Sequence, residues 1–498
     1  MNEQIRRLFF VFCALFVALI GMSSYWLWKA PDLEARQGNP TLVVRQLKID
    51  RGRIYAADAK TVLARNRQKK VRGQTLYYRV YPQNRLTAHL VGYSTIERSR
   101  TGLEKSLNDY LTGSNSDLST LVDRTLDTLK GLTRRGNDVV TSIDPPAQRV
   151  ALNELAGKCG AAVALDVKTG RVMVMASTPT YDPNLIEAHY KQAIAAPPVC
   201  TDPAPLLNRA TQGLPSPVFI PGSTFKIVTA TAAIDSGVFT PDSTFDDPGY
   251  CEEYGKRVSN YADQDGAEQF GRVNFTTAVQ HSINSVFCNI GKKLGPQKVL
   301  EYAKRYGFYE RPPLETPDGE RAPSGLWFHG RLFDPKDPNQ IDPGRLAFGQ
   351  ERLLVTPLQM AMVAAAVANG GILMEPHSVD RIVAPDGTAI SKTGPREIRR
   401  VMKESTAAAL VPMMEAVVEG GTGTAAQIPG VAVAGKTGTA ETGVPGLNNG
   451  WFIAFAPAEA PKIAIAVVIE RTPEFGGTIA APIAASVIEA YLSSGVAK

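Results

Sequence analysis

The 498 residues are enough for two or three folded units, and a 44% hydrophobic content lets them bury a large core. The formal net charge is only +6, from 54 Lys/Arg against 48 Asp/Glu, and the chain has no Gly-rich phosphate loop and no nucleic-acid module, so nucleic acid is not an expected partner. The five histidines, His89, His189, His281, His329 and His377, lack HExxH or CxxC spacing, which argues against a zinc peptidase, and no metal or cofactor is expected.

In chain order, the first predicted element is Leu8–Trp28, which carries no charge and as a helix reaches about 31 Å, close to the hydrocarbon thickness of a bilayer. Arg6 and Arg7 precede it, and Tyr25, Trp26 and Trp28 gather at its far end like an interfacial belt. A secretory signal would have a shorter apolar core and an A-x-A site. The expectation is a short cytoplasmic tail (1–7), an uncleaved anchor (8–28) and the remainder on the extracytoplasmic side. From 41 to 140 the pattern is short alternating strands, then Gly102–Gly113 and a weak helical stretch. This window holds 19 Lys/Arg against nine Asp/Glu, so basic charge is concentrated next to the anchor. A surface for anionic lipid or acidic wall polymer and a plain solvated face both fit that balance.

A larger unit is expected to begin near Asp144. Ala161–Leu165 and Val172–Ala176 read as strands joined by a tight turn at Lys168-Thr169-Gly170, and Val431–Ala434, Trp451–Ala456 and Ile463–Ile469 as strands near the end. A mostly helical middle lies between them and a helix at Ala480–Leu492 closes the chain. The implied class is α+β, an antiparallel sheet with helices on both sides. Of the cysteines, Cys13 falls in the anchor, Cys159 and Cys288 sit in apolar elements and read as buried thiols, and Cys200 with Cys251 in loops form the candidate disulfide pair.

Three short motifs carry the chemistry. Pro221-Gly222 punctuates the chain before Ser223-Thr224-Phe225-Lys226, and Thr224–Ala233 then reads as a helix. Ser223 and Lys226 are therefore one helical turn apart, a hydroxyl beside an amine able to deprotonate it, at a helix start that offers free N–H groups to an oxyanion. Ser282-Ile283-Asn284 falls at a junction between two helices, where Ser282 can shuttle a proton to a leaving amine and Asn284 can position Lys226 or the substrate. Lys436-Thr437-Gly438-Thr439 lies between apolar strand runs, so its backbone can pair with an extended substrate while Lys436, Thr437 and Thr439 meet a carboxylate. The chain also contains Lys168-Thr169-Gly170, Lys392-Thr393-Gly394 and Ser106-Leu107-Asn108, which order and context set aside. His281, beside Ser282, reads as a polar helix residue because Lys226 already fills the role of base.

SxxK, SxN and KTG in this order mark serine acyl transferases that act on penicillin-like or D-alanyl amides. The chain resembles the class B penicillin-binding proteins, most closely the short single-pass actinobacterial type. Asp50-Arg51-Gly52-Arg53-Ile54-Tyr55, Gly102-Leu103-Glu104 to Leu111-Thr112-Gly113, and Gly349-Gln350 to Thr356-Pro357-Leu358-Gln359 are similar to family segments. Ile283 stands where the family more often has a small or polar residue, a departure that bears on substrate fit.

The resemblance implies the penicilloyl-serine transferase fold with a five-stranded sheet at 144–498, above a β-rich dimerisation or pedestal-like domain at 29–143. It implies a peptidoglycan D,D-transpeptidase that takes a D-Ala-D-Ala stem peptide as donor and a neighbouring amine as acceptor, and is inhibited by β-lactams. Ser223, Lys226, Ser282, Asn284 and Lys436 would be catalytic, and Thr437, Gly438 and Thr439 would bind substrate. The stretch 29–143 is too short for a glycosyltransferase, so a separate glycosyltransferase partner is expected. A D,D-carboxypeptidase and a non-catalytic sensor or scaffold are the alternatives.

Overall fold

The computed structural model describes residues 3–34, 47–96, 98–114, 135–195, 200, 204–212, 219–253, 256–260, 262–263 and 266–494. Helix α1 (Glu3–Glu34) extends past the predicted span at both ends. Glu3–Trp26 is long and apolar enough to cross a membrane, and its side chains are exposed along its length. The weak helical stretch expected after Gly113 lies outside the described residues.

Strands β1 (Ile54–Tyr55), β2 (Val62–Val71), β3 (Gln74–Val80) and β4 (Asp138–Thr141) belong to one six-stranded sheet. Its other two strands come from far along the chain, β7 (Val379–Val383) and β8 (Ala389–Lys392), giving the order β8-β7-β4-β1-β2-β3. β7 pairs antiparallel with β4, Ile382 opposite Val139, and β1 runs parallel to β4. Two of the three segments that resemble family signatures meet at the side of this sheet. The buried Glu104 carboxylate takes Arg51 Nη2 at 2.8 Å and also accepts from Arg79 Nε. Burial pushes the Glu104 carboxyl up, but Arg79 and Arg51 outweigh it and hold it below its ordinary value.

The second sheet has five antiparallel strands in the order β9-β10-β11-β5-β6, formed by β5 (Gly160–Asp166), β6 (Val172–Thr178), β9 (Ala434–Glu441), β10 (Asn448–Ala456) and β11 (Ile463–Thr472). β11 reads Ile-Ala-Ile-Ala-Val-Val-Ile without polar alternation because it is central and covered on both faces. Helix α6 (Pro357–Ala368) covers one face and is apolar nearly all round for the same reason; α2 (Pro145–Glu154) and α7 (Ala481–Ser493) cover the other. The sheet has the five antiparallel strands and the helices on both faces that the family resemblance implies. Lys168-Thr169-Gly170 is the β5–β6 turn, tied by Asp166 Oδ1 to the Lys168 and Thr169 N–H groups, and Lys392 ends β8 in the other sheet. Neither triplet lies in the strand that carries Lys436.

The cysteines depart from expectation. Cys159 is bonded to Cys200 and Cys251 to Cys288, with Cα separations of 5.5 and 6.4 Å, while Cys13 is free and exposed on α1. Cys159 and Cys288 are buried as expected, but burial in an apolar element did not leave them as thiols. Buried Cys200 packs back onto the start of β5, and buried Cys251 lies in a hairpin laid along a helix, so each loop cysteine pairs with an apolar neighbour and not with the other loop cysteine.

Candidate active site

Ser223 lies in a 3₁₀ turn, Gly222–Phe225, that runs into α3 (Lys226–Asp235), so the predicted helix starts two residues later than expected. The turn is pressed against β9. A Cβ on Gly222 (φ +52°) would sit 3.0 Å from the Thr439 oxygen, and one on Gly438 would sit 2.9 Å from the Pro221 oxygen and 2.9 Å from Thr224 Cγ2. Two facing glycines thus allow the Ser223 turn and the Lys-Thr-Gly-Thr backbone to touch. From β10, Trp451 Nε1 donates to Ile220 O at 2.9 Å and fixes the approach to the turn. The strand expected at Val431–Ala434 instead begins at Ala434 and continues through Lys436–Thr439, because these residues pair in register with β10, Lys436 opposite Ile453 and Thr439 opposite Gly450. β9 is an edge of the sheet.

Helix α4 (Phe275–Gln280) ends in a Schellman motif. Ile283 N–H returns to Ala278 O at 3.0 Å and Ser282 N–H to Val279 O at 3.2 Å, with Ser282 in the left-handed region at φ +57°. Glycine usually occupies that position; here a serine accepts the strain and its carbonyl and hydroxyl are turned into the site. Ile283 takes the place of the buried apolar residue after the cap and is 1% exposed in the main core. The departure from the family residue thus places a buried apolar side chain in the core between Ser282 and Asn284. Asn284 then begins α5 (Asn284–Leu294).

The three motifs converge on two buried lysines. Lys226 Nζ donates to Ser282 O at 2.6 Å, to Asn284 Oδ1 at 2.7 Å and to Ser282 Oγ at 3.3 Å. Lys436 Nζ donates to Ser282 Oγ at 2.8 Å and to Thr437 O at 3.1 Å. Ser282 Oγ therefore bridges both amines. Burial, and then the charge of Lys436, press the Lys226 ammonium well below its ordinary value; burial brings Lys436 to about 7. Among the described residues Ser223 Oγ has no hydrogen-bond partner, and it is partly exposed. His281 caps α4 and stacks on Phe270 at 4.8 Å, with no hydrogen bond to these groups among the described residues.

Several participants escape motif reading. Thr437 Oγ1 lies 2.6 Å from Thr422 Oγ1, and Thr439 Oγ1 accepts from Gly476 N–H at 3.3 Å. Their signals, a Gly-Gly-Thr-Gly-Thr turn and a Gly-Gly pair, resemble ordinary loops.

Residues 160–489 match the family described as the penicillin binding protein transpeptidase domain, and residues 51–139 the penicillin binding protein A dimerisation domain. The chain is a class B penicillin-binding protein. It is 32% identical to the peptidoglycan D,D-transpeptidase PbpA of Mycolicibacterium smegmatis, over 99% of this chain and 100% of that one. It is also 32% identical to PbpA of Mycobacterium tuberculosis, over 99% of each chain. The solved structure of M. tuberculosis penicillin-binding protein A as a ceftriaxone acyl-enzyme complex superposes with a TM-score of 0.79 at 32% identity, covering 90% of this chain and 100% of that one. Its imipenem acyl-enzyme complex gives 0.78.

Proposed function

We infer that Ser223 is the nucleophile with which this peptidoglycan D,D-transpeptidase forms its acyl-enzyme, and the same serine by which β-lactams inhibit it. The observation that carries this is the desolvated Lys226 amine, held by Ser282 and Asn284 one turn from Ser223. As a neutral amine Lys226 keeps two N–H donors for the short bonds to Ser282 O and Asn284 Oδ1, which leaves its lone pair for the Ser223 proton.

Ser223 Oγ attacks the penultimate D-Ala carbonyl as its proton passes to Lys226. The Ser223 and Thr439 N–H groups face the oxyanion, and Lys436 with Thr437 and Thr439 holds the terminal carboxylate. The proton returns through Ser282 Oγ to the departing D-Ala nitrogen, breaking the C–N bond and leaving the ester. An amine of a second stem peptide, giving up its proton along the same path, attacks the ester, forms the cross-link and releases Ser223.

We assign residues 8–28 to a single membrane anchor with the catalytic domain on the extracytoplasmic side, where the substrate lies, and 29–143 and 144–498 to the two soluble units. Strand supply from β7 and β8 to the N-terminal sheet means that these units share structure. A separate glycosyltransferase supplies the glycan strands. Labelling with a fluorescent penicillin should mark wild type and spare Ser223→Ala; equal labelling overturns the assignment. A D-Ala-D-Ala donor with an amine acceptor should give a cross-linked product, whereas the shortened donor alone would make the enzyme a carboxypeptidase.

A further inference from the structure

The Asn284 amide must present its oxygen, not its nitrogen, to Lys226. An amide's two ends are nearly the same shape, so something else has to set the orientation. Nδ2 donates to Ser259 O at 3.0 Å, and Ser259 ends a hairpin formed by Tyr250–Glu253 and Lys256–Ser259. The next residue, buried Asn260, accepts from Ser285 N–H at 3.0 Å and donates Nδ2 to Asp247 Oδ1 and Oδ2 at 2.9 and 2.8 Å. Asp247 is 3% exposed, and among the described residues no lysine or arginine pairs with it. Neutral donors satisfy its carboxylate: Asn260, Gly249 N–H at 2.8 Å, Phe270 N–H at 3.0 Å and the Ser285 hydroxyl. A carboxylate only accepts, so Asp247 dictates which end of the Asn260 amide faces it and hence which end reaches α5.

The same hairpin is fastened to the same face of α5 twice more. Cys251 is bonded to Cys288, one turn beyond Asn284, and Glu253 Oε1 pairs with Lys292 Nζ at 2.8 Å one turn further on. A loop serving stability alone has no need to end on the one carbonyl that orients a catalytic amide.

We propose that Asp247 and Asn260 are positioning residues, which act with the Cys251–Cys288 disulfide to hold the Ser259 carbonyl against Asn284 and so aim Asn284 Oδ1 at Lys226. This rests on the active-site assignment above. Misplacement of a catalytic group by about 1 Å costs on the order of 100-fold in rate. Acylation of the full-length chain in detergent by a chromogenic β-lactam, followed by stopped flow from pH 5 to 10, separates the binding constant from the acylation rate k2. Asn260→Ala and Asp247→Asn should lower k2 about 10- to 100-fold with little change in binding. They should also move the pH midpoint of k2 downward, as should Asn284→Ala, because the Lys226 ammonium loses an acceptor. Lys436, the other charge facing Lys226, is the same in every variant.

A folded Asn260→Ala with the k2 and pH midpoint of wild type, beside a crippled Asn284→Ala, overturns the proposal. If Asn260→Ala does not fold, Ser285→Ala and the double variant Cys251→Ser/Cys288→Ser decide: a lowered k2 in either supports it, and wild-type k2 with an unmoved midpoint in both overturns it. Wild-type acylation in Ser223→Ala and Asn284→Ala would instead sink the active-site assignment itself.

Discussion

Lys226 and Lys436 are both fully buried and approach one hydroxyl, Ser282 Oγ, so two full positive charges there repel with little screening. Burial, and then the neighbouring Lys436 charge, press the Lys226 ammonium well below its ordinary value, and burial brings Lys436 to about 7. On the proposed mechanism, acylation should rise with pH as Lys226 becomes a base and fall as Lys436 loses the charge assigned to the substrate carboxylate. The second-order acylation constant is expected to be bell-shaped in pH, with its alkaline limb set by Lys436. Lys436→Arg keeps a permanent charge and should abolish that limb while lowering the maximum through altered shape. Lys436→Ala removes a buried charge-assisted contact worth about 2–5 kcal/mol, a loss on the order of 30- to several-thousand-fold in acylation. Lys168→Ala and Lys392→Ala, in surface turns and strand ends, should stay within about 0.5 kcal/mol in stability with acylation unchanged. A crippled Lys168→Ala or Lys392→Ala beside an active Lys436→Ala would reverse the choice among the triplets.

The junction between α4 and α5 shows how an element can trade stability for placement. Ser282 occupies a position that favours glycine, and Ser282→Gly should raise stability by about 1 kcal/mol in urea unfolding while it depresses acylation, because the bridging hydroxyl is gone. Equal stability would mean that the left-handed turn carries no strain. At the facing strand, Gly438→Ala drives a Cβ to within 2.9 Å of Pro221 O and Thr224 Cγ2. The strand and the nucleophile turn must separate, so acylation should fall even though β9 still pairs with β10. The motifs at this scale were legible because each spacing matches a local geometry: one helical turn in Ser-x-x-Lys, and a helix break in Ser-Ile-Asn. Their partners Thr422, Ser259 and Asn260 were not, since a threonine in a glycine-rich loop carries no period or spacing that points to the site.

For the molecule as a whole, the N-terminal sheet is pinned by one carboxylate between two guanidiniums. Glu104→Gln leaves Arg51 and Arg79 buried without their counter-charge and should cost about 3–5 kcal/mol in unfolding of that region. Glu104 is held below its unfolded value, so its contribution is complete above the unfolded carboxylate range of about 4.3 and is lost as pH falls through the folded value. Acid unfolding monitored in wild type and Glu104→Gln should converge only once pH lies below that folded value. Removal of residues 1–34 takes away the only exposed long apolar helix among the described residues and should leave a soluble protein that still binds penicillin; persistent sedimentation with membranes would show that a second surface holds it there.

The sequence by itself determined the reaction class, the three motifs in order, the apolar N-terminal helix and the strands on either side of a helical middle. Each is written in residues close together, where 3.6- and two-residue periods and turn residues act locally. Tertiary structure alone decided the rest: Cys159 with Cys200 and Cys251 with Cys288, β7 and β8 completing a sheet begun more than two hundred residues earlier, and Asp247 reaching Asn284 through Asn260. Those contacts depend on which surfaces close-pack once the chain has folded back on itself, and a contact between distant residues leaves no period in either segment by which it could be read.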